Sequence, residues 1–178
     1  MELCFTETRK ILRRGRASLA FRVRTPKTAG EGIAWIEYYT RAASALERWA
    51  ADTLLARMEQ AIEQAPRRGR LYTVSPQLSF LCDGSVTDGR WISLTSTVML
   101  EQDGKITRRE DHRVWDAQAG TLCPIEWFLP RKEAKRYYRW AFEIREGFVW
   151  GIPAVRSVKK GSPAPVRVGK LKYLFPPS

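Results

Sequence analysis

The hydrophobic positions of this chain follow two periods, and each period predicts a different element. Hydrophobic and polar residues alternate on both sides of Gly15, so residues 2–24 are expected to form a β-hairpin. Over residues 31–64, apolar residues recur at steps of three and four, which is the period of an amphipathic helix. At 1.5 Å per residue this helix would extend about 50 Å. It buries its apolar stripe only if a sheet packs along most of its length.

Three further segments with alternating apolar positions supply that sheet. They predict strands over residues 71–82, 91–100 and 105–116, joined by short turns that contain Asp-Gly pairs. Connections this short join only antiparallel neighbours. Pro130 suits a first helical turn, and apolar residues at helical spacing predict a second helix over residues 131–146. The fold class is therefore α+β: a long amphipathic helix packed on a mostly antiparallel twisted sheet of about five or six strands, with a second shorter helix.

Residues 1–154 are expected to form a single α+β domain, because a chain of 178 residues suits one core. A short strand is expected within it over residues 148–152. Residues 155–178 form a basic tail that contains several prolines and glycines. Within the tail, residues 166–175 would either pair as an edge ribbon or stay mobile.

Composition narrows the class of protein. A hydrophobic content of 44% with seven tryptophans predicts a packed core rather than a disordered chain. Every uncharged apolar run is far shorter than the roughly 20 residues that a transmembrane helix needs. The first residues lack the basic and apolar regions of a signal peptide, so the chain as written is expected to be cytoplasmic. With a start codon further upstream, it would be extracytoplasmic.

Residues that commonly carry catalysis or bind metals are sparse. Cys4, Cys82 and Cys123 are widely separated, which argues against a disulfide framework and predicts that they serve as small apolar side chains. His112 is the only histidine, whereas a zinc site usually draws on several His or Cys ligands at short spacing. No glycine-rich phosphate loop follows a predicted strand. We therefore predict no catalytic residue, no metal site and no cofactor.

A weaker alternative is a hydrolase that acts on cell-wall or sugar substrates. On the predicted strand 105–116, Glu110 and His112 share one face, and Asp111 lies on the other. His112 would then be a general base oriented by Glu110 or Asp116. A polar strand face in contact with solvent explains the same residues without any activity.

The net charge of +12 predicts attraction to polyanions. Two arginine clusters fall in predicted turns, and together they would present six guanidinium groups suited to phosphate or carboxylate. A third cluster lies on the second predicted helix, where three interleaved aromatic residues could stack on bases or simply reach the core. The candidate residues for binding a protein or anionic partner are Arg13, Arg14, Arg16, Arg67, Arg68, Arg70, Arg131, Lys132, Lys135 and Arg136.

The segment RVWDAQAGTLCPIEWFLP, residues 113–130, combines a strand end, a turn and an aromatic group closed by proline. It resembles the signature of a sensor-type domain of lysozyme-sensing anti-sigma factors, also found beside peptidoglycan deacetylases and in uncharacterised clostridial proteins. The order of a strand ending at Pro26 and a long segment over 32–64 matches as well, and the resemblance covers residues 18–145. The matching residues are Val114-Trp115-Asp116, Ala119-Gly120-Thr121-Leu122 and Ile125-Glu126-Trp127-Phe128.

The resemblance implies a non-catalytic binding or sensor-like domain in an uncharacterised bacterial protein. The exposed sheet face or the helix ends would contact a protein or an anionic partner. Lysozyme recognition is not carried over, because residues 107–112 replace the family's Gly-Gly-Ala-His-like loop and the basic tail does not match. The alternative is a nucleic-acid-associated basic protein, whose affinity would fall steeply with salt.

Overall fold

A computed structural model describes residues 2–27, 33–64, 75–153 and 164–170. Over these ranges the chain forms eight strands in two sheets and a long helix that crosses the larger sheet. In chain order the elements are β1 (Cys4–Arg14), β2 (Ala17–Lys27), α1 (Ala34–Trp49), a π-helical turn (Ala50–Leu54), α2 (Leu55–Gln64), β3 (Gln77–Thr87), β4 (Trp91–Gln102), β5 (Lys105–Asp116), a 3-10 turn (Ile125–Trp127), α3 (Arg131–Tyr137), β6 (Ala141–Arg145), β7 (Phe148–Ile152) and β8 (Val166–Lys170).

Five strands form the large sheet, in the order β1-β2-β3-β4-β5. β1 and β2 are the predicted hairpin, and Gly15 adopts the positive φ of +51° that its turn requires. β2 and β3 run parallel, because the long helix carries the chain back across the sheet between them. The other neighbouring strands are antiparallel. The predicted α+β class with a mostly antiparallel sheet is thus confirmed.

The long helix covers one face of the large sheet. It runs without a break over residues 34–64, because the π-helical turn joins α1 directly to α2. Two clusters of buried side chains fill the interface between helix and sheet, as the predicted stripe requires. They include Trp35, Tyr39, Ala43, Ala50, Leu54 and Leu55 from the helix and Leu19, Phe21, Leu78, Phe80, Ile92 and Leu94 from the sheet.

β6, β7 and β8 form a small antiparallel sheet, in that order, which packs on the opposite face of the large sheet. Successive residues of a strand point to opposite faces, so Trp91 contacts the small sheet while Ile92 contacts the helix. Ser93 fixes the two sheets to each other, since its Oγ accepts a hydrogen bond from the backbone amide of Ile144 at 2.9 Å. The large sheet is therefore covered on both faces at this end.

The second predicted helix, residues 131–146, is wrong over its second half. Only Arg131–Tyr137 is helical, and Ala141–Arg145 is strand β6. Phe142 and Ile144 are buried on either side of the half-buried Glu143, which is the period of a strand. Glu146 and Gly147 both have positive φ, so a tight turn sends the chain back along β7. Because this segment was predicted as helix, the predicted architecture did not include the small sheet.

Part of the predicted C-terminal tail belongs to the small sheet. Val166–Lys170 pairs with β7 as its edge strand, while residues 171–178 lie outside the described part of the chain. The proposed domain boundary at residue 154 stays a prediction. None of the described helices is long and apolar enough to cross a membrane.

Candidate functional site

Asp116 organises the turn that follows β5. Its side chain is 1% exposed and accepts hydrogen bonds from Arg90, at 3.1 and 2.5 Å, and from the backbone amides of Gln118 and Ala119. Burial raises the pKa of Asp116, but these hydrogen bonds and the nearby guanidinium outweigh burial and lower it. Arg90 also stacks on the ring of Trp91, at 4.7 Å. Asp116 therefore holds the strand end and turn together, which is a structural role.

His112 and Glu110 share one face of β5, as predicted. The Nδ1 atom of His112 lies 2.9 Å from Thr95 Oγ1, and its Nε2 atom lies 3.6 Å from Glu110 Oε2. Glu110 is also paired with Arg108. Thr95 thus occupies the position of a nucleophile, but β4 is a central strand whose amides pair with β3 and β5. The amides of β4 beside Thr95 therefore offer no free donor to a developing oxyanion, so the hydrolase alternative gains no support.

The cysteines take no part in this arrangement. Cys4 is exposed, while Cys82 and Cys123 are buried in separate apolar clusters. Burial raises the pKa of both buried thiols to about 12, so they remain protonated and unreactive at neutral pH. Within the described ranges, no three His, Cys, Asp or Glu side chains are grouped as metal ligands.

The β1–β2 turn places Arg13, Arg14 and Arg16 at one end of the large sheet. Arg14 is paired with Glu59 of α2 at 3.1 Å. Arg16 lines a cavity of about 250 Å³ together with Arg57 and apolar residues of α2. Arg67, Arg68 and Arg70 lie outside the described residues, so the proposed cluster of six guanidinium groups stays a prediction.

The remaining candidates lie on α3, which borders the small sheet. Buried Ala134 anchors the helix, and its opposite side exposes the four cations Arg131, Lys132, Lys135 and Arg136. The β1–β2 turn adjoins the start of β3, whereas the small sheet adjoins the other end of these strands. The strands are 11 or 12 residues long. The two clusters are therefore separated by roughly 35 Å and do not form one patch.

One half of the large sheet's second face, beyond the small sheet, is covered by no described element. We call this surface the open face. Ile11 and Ile106 lie at its opposite edges and are 61% and 65% exposed. A shallow depression of about 410 Å³ lies beside Ile11 and extends to Met99 of β4. The open face consists of Arg9, Ile11, Ala20, Arg22, Gln77, Ser79, Leu81, Thr97, Met99, Ile106 and Arg108.

The arginines of the open face are paired with carboxylates. Arg22 donates two hydrogen bonds to Glu7, both of 2.9 Å, and Arg9 donates a third of 3.1 Å. Arg108 is paired with one carboxylate oxygen of Glu110. The surface is therefore much closer to neutral than the cation-rich side of α3.

Ser79 lies at the base of the depression and is the site residue that sequence reasoning missed. It is 6% exposed, and its buried Oγ atom has no hydrogen-bond partner among the described residues. A buried hydroxyl without a partner costs about 1–3 kcal/mol. In the sequence, Ser79 is an ordinary polar position between Leu78 and Phe80. Only the register with Arg22 and Met99 shows that it is enclosed.

We expect the Glu7 carboxyl to titrate far below its ordinary pKa. The hydrogen bond from Arg22 is the largest cause and, with Arg9, lowers the pKa of Glu7 from 4.5 to about 2, although desolvation opposes the shift. A lowered folded-state pKa stabilises the protein above the unfolded pKa, and this stabilisation is lost as the pH falls from about 4.5 to about 2. Carboxyl ¹³C NMR titration at low salt measures it; a midpoint near 4.5 would refute the pairing.

No family model matches this sequence, and no curated protein matches it either. Among solved structures, a DUF3298-family protein from Bacteroides fragilis is 9% identical, with a TM-score of 0.60 over 94% of this chain and 90% of that one. The fold is similar to that of a DUF3298-family protein. Another DUF3298-family structure, from Pseudomonas aeruginosa PAO1, is 13% identical, with a TM-score of 0.46 over 99% of this chain and 96% of that one. The relation to anti-sigma sensor domains stays a prediction.

Proposed function

We propose that this chain is a non-catalytic binding domain of a bacterial protein, and that a protein partner docks on the open face. The observation that carries the proposal is the unpartnered Ser79 hydroxyl at the base of the depression. Buried hydroxyl groups in folded proteins are normally hydrogen-bonded, whereas Ser79 Oγ has no partner among the described residues. Movement of the surrounding side chains on docking would open the hydroxyl, which is buried in the free protein, to a polar group of the partner and remove its cost.

The chemistry of the open face favours a protein over a polyanion. Its exposed aliphatic groups, Ile11 and Ile106, offer apolar contact area, and its arginines are already paired with carboxylates. Met and Arg are enriched at protein interfaces, and the centre of an interface is more apolar than the rest of a protein surface. Within the described chain, none of the large exposed aromatic side chains lies on this face.

The size of the surface sets the expected affinity. Five strands spaced about 4.8 Å apart, open over roughly half their length, give a surface of about 20 by 20 Å. This is smaller than the roughly 800 Å² that each partner buries in a stable complex. We therefore expect a transient interaction with a dissociation constant in the micromolar range.

A peptide probe tests the proposal before the natural partner has been identified. A phage-displayed random peptide library is selected on the immobilised protein, and enriched peptides are titrated by isothermal calorimetry. Ile11→Glu and Ile106→Glu are each expected to weaken binding at least about tenfold, because they place an unpaired charge in the apolar contact. Val166→Glu, at a 49% exposed position of β8, is the matched control and should change affinity less than about twofold.

Two results would overturn the proposal. Enriched peptides that bind both open-face variants as tightly as the original protein would place the interface elsewhere. Affinity that falls steeply with salt in every variant would instead indicate an anionic ligand held by the basic clusters.

Ser79→Ala should have opposite effects on stability and on binding. Removing the unpartnered hydroxyl is expected to raise the free energy of unfolding by about 1 kcal/mol in the free protein. The same change should weaken binding of the selected peptides several-fold, because their polar group loses its partner. Urea denaturation and calorimetry measure the two effects. Ser85→Ala, at an exposed position of β3, is the control; a destabilised but fully binding Ser79→Ala protein would contradict the account.

A further inference from the structure

The outer face of the small sheet carries two aromatic rings side by side. Phe148 and Trp150 are two residues apart on β7, so they project from one face about 7 Å apart. Val149 between them is buried in the core that joins the two sheets. Both rings are only half-buried. The rings therefore face outward and present part of their surface to solvent.

Each ring is stacked against an arginine from a neighbouring strand. The guanidinium of Arg145 lies 4.5 Å from the centre of the Trp150 ring, and that of Arg167 lies 4.5 Å from the centre of the Phe148 ring. In the strand register Arg145 lies opposite Phe148, and Arg167 lies opposite Trp150. Each arginine therefore extends diagonally to the other ring of β7. The indole Nε1 of Trp150 donates a hydrogen bond to the backbone oxygen of Arg145 at 3.2 Å, which fixes the ring. The result is a flat surface of alternating rings and cations.

The region around this surface has a large excess of positive charge. The described residues from 131 onward include eight Lys or Arg and three Glu. Of the eight cations, only Arg145 has a carboxylate within ion-pair distance in the described chain, Glu143 at 3.7 Å. This is the reverse of the open face, where the arginines are paired. The cations are Arg131, Lys132, Lys135, Arg136, Arg139, Arg145, Arg167 and Lys170.

We propose that the outer face of the small sheet binds single-stranded nucleic acid, a function beyond protein binding on the open face. Bases stack on exposed aromatic rings irrespective of sequence. When bases cover the Phe148 and Trp150 rings, the guanidinium groups of Arg145 and Arg167 exchange a ring contact for charge-assisted hydrogen bonds to phosphate.

Fluorescence anisotropy with a labelled thymidine oligomer of about 12 nucleotides tests the proposal, since this length lies within the range that small single-strand-binding folds cover. Trp150→Leu and Phe148→Leu keep the charge and remove one ring each. Each is expected to lower affinity about tenfold or more, as loss of one base-stacking contact does. Trp49→Leu, at a 42% exposed position of α1, is the matched control and should stay within about twofold. Circular dichroism checks that all three variants fold.

Inorganic polyphosphate, which has charge but no bases, separates stacking from simple charge attraction. The two ring variants should bind polyphosphate as tightly as the original protein does. No binding of the oligomer at about 0.1 M salt would overturn the proposal. It would also be overturned if the ring variants bound the oligomer normally, since charge alone would then account for binding. Ile11→Glu should not affect this interaction, which distinguishes it from docking on the open face.

Discussion

Replacing Asp116 with alanine is expected to lower the free energy of unfolding by about 3 kcal/mol, because several hydrogen bonds to a buried carboxylate are lost. Arg90 would keep its charge at a side chain only 18% exposed, without the carboxylate that now lies 2.5 Å away. The backbone amides of Gln118 and Ala119 would lose their acceptor at the same time. Urea denaturation followed by circular dichroism measures the loss.

Two further variants serve as comparisons for the stability of Asp116→Ala. Asp116→Asn keeps an oxygen for the two turn amides but removes the charge, so its loss should be smaller than that of alanine. Asp52→Ala, at an exposed position on the long helix, should change stability by less than about 0.5 kcal/mol. If Asp116→Ala were as stable as Asp52→Ala, the pair with Arg90 would not hold the turn.

Phe128→Ala is expected to destabilise the protein by about 3–5 kcal/mol, the usual cost of emptying a buried aromatic site. Phe128 is fully buried, and its ring centre lies 5.0 Å from that of Trp91 and 5.9 Å from that of Phe142. Trp91 belongs to β4, whose other side contacts the long helix through Ile92. Because both cores share this strand, the variant should still unfold in a single transition at lower urea.

Tryptophan fluorescence and far-ultraviolet circular dichroism, recorded on the same samples, test this coupling. Coincident curves at a lower midpoint are expected, as for a single cooperative domain. Leu122→Ala, at a 44% exposed position, should leave the midpoint nearly unchanged. Two separated transitions in Phe128→Ala would show that the small sheet unfolds independently.

Sequence patterns correctly predicted the elements that depend mainly on residues close together in the chain. The hairpin around Gly15, the helix ending at Gln64 and the strand Lys105–Asp116 all follow from hydrophobic period and turn chemistry. The parallel pairing of β2 and β3 follows only from the path of the helix between them, which no short pattern specifies.

The region after Pro130 was harder to predict because two periods overlap there. Ala134 and Tyr137 continue a helical spacing that Ile144 extends by coincidence. Ala141–Arg145 becomes a strand because β7 pairs with it and Ile144 packs into the core between the two sheets. Both are tertiary interactions, which the local sequence does not specify. The basic residues between these positions have a high helix propensity, which conceals the change from helix to strand.

The candidate site, like the fold, could be predicted from the sequence only in part. Counting charges identified the cations of α3 and of the β1–β2 turn, but not that they lie at opposite ends of the large sheet. Ser79 and the open face depend on strand register and on how far the small sheet extends, so no sequence pattern marks them. The alternating Phe148 and Trp150 were visible, but their arginine partners come from two other strands.

The most direct test of the open face is an amide NMR map of the ¹⁵N-labelled protein titrated with a selected peptide. The account predicts that the perturbed amides cluster around Ser79, on all five strands β1 to β5 of the large sheet, and that the small sheet stays unchanged. Perturbations that centre on α3, the small sheet or the long helix, with the open face unaffected, would contradict it.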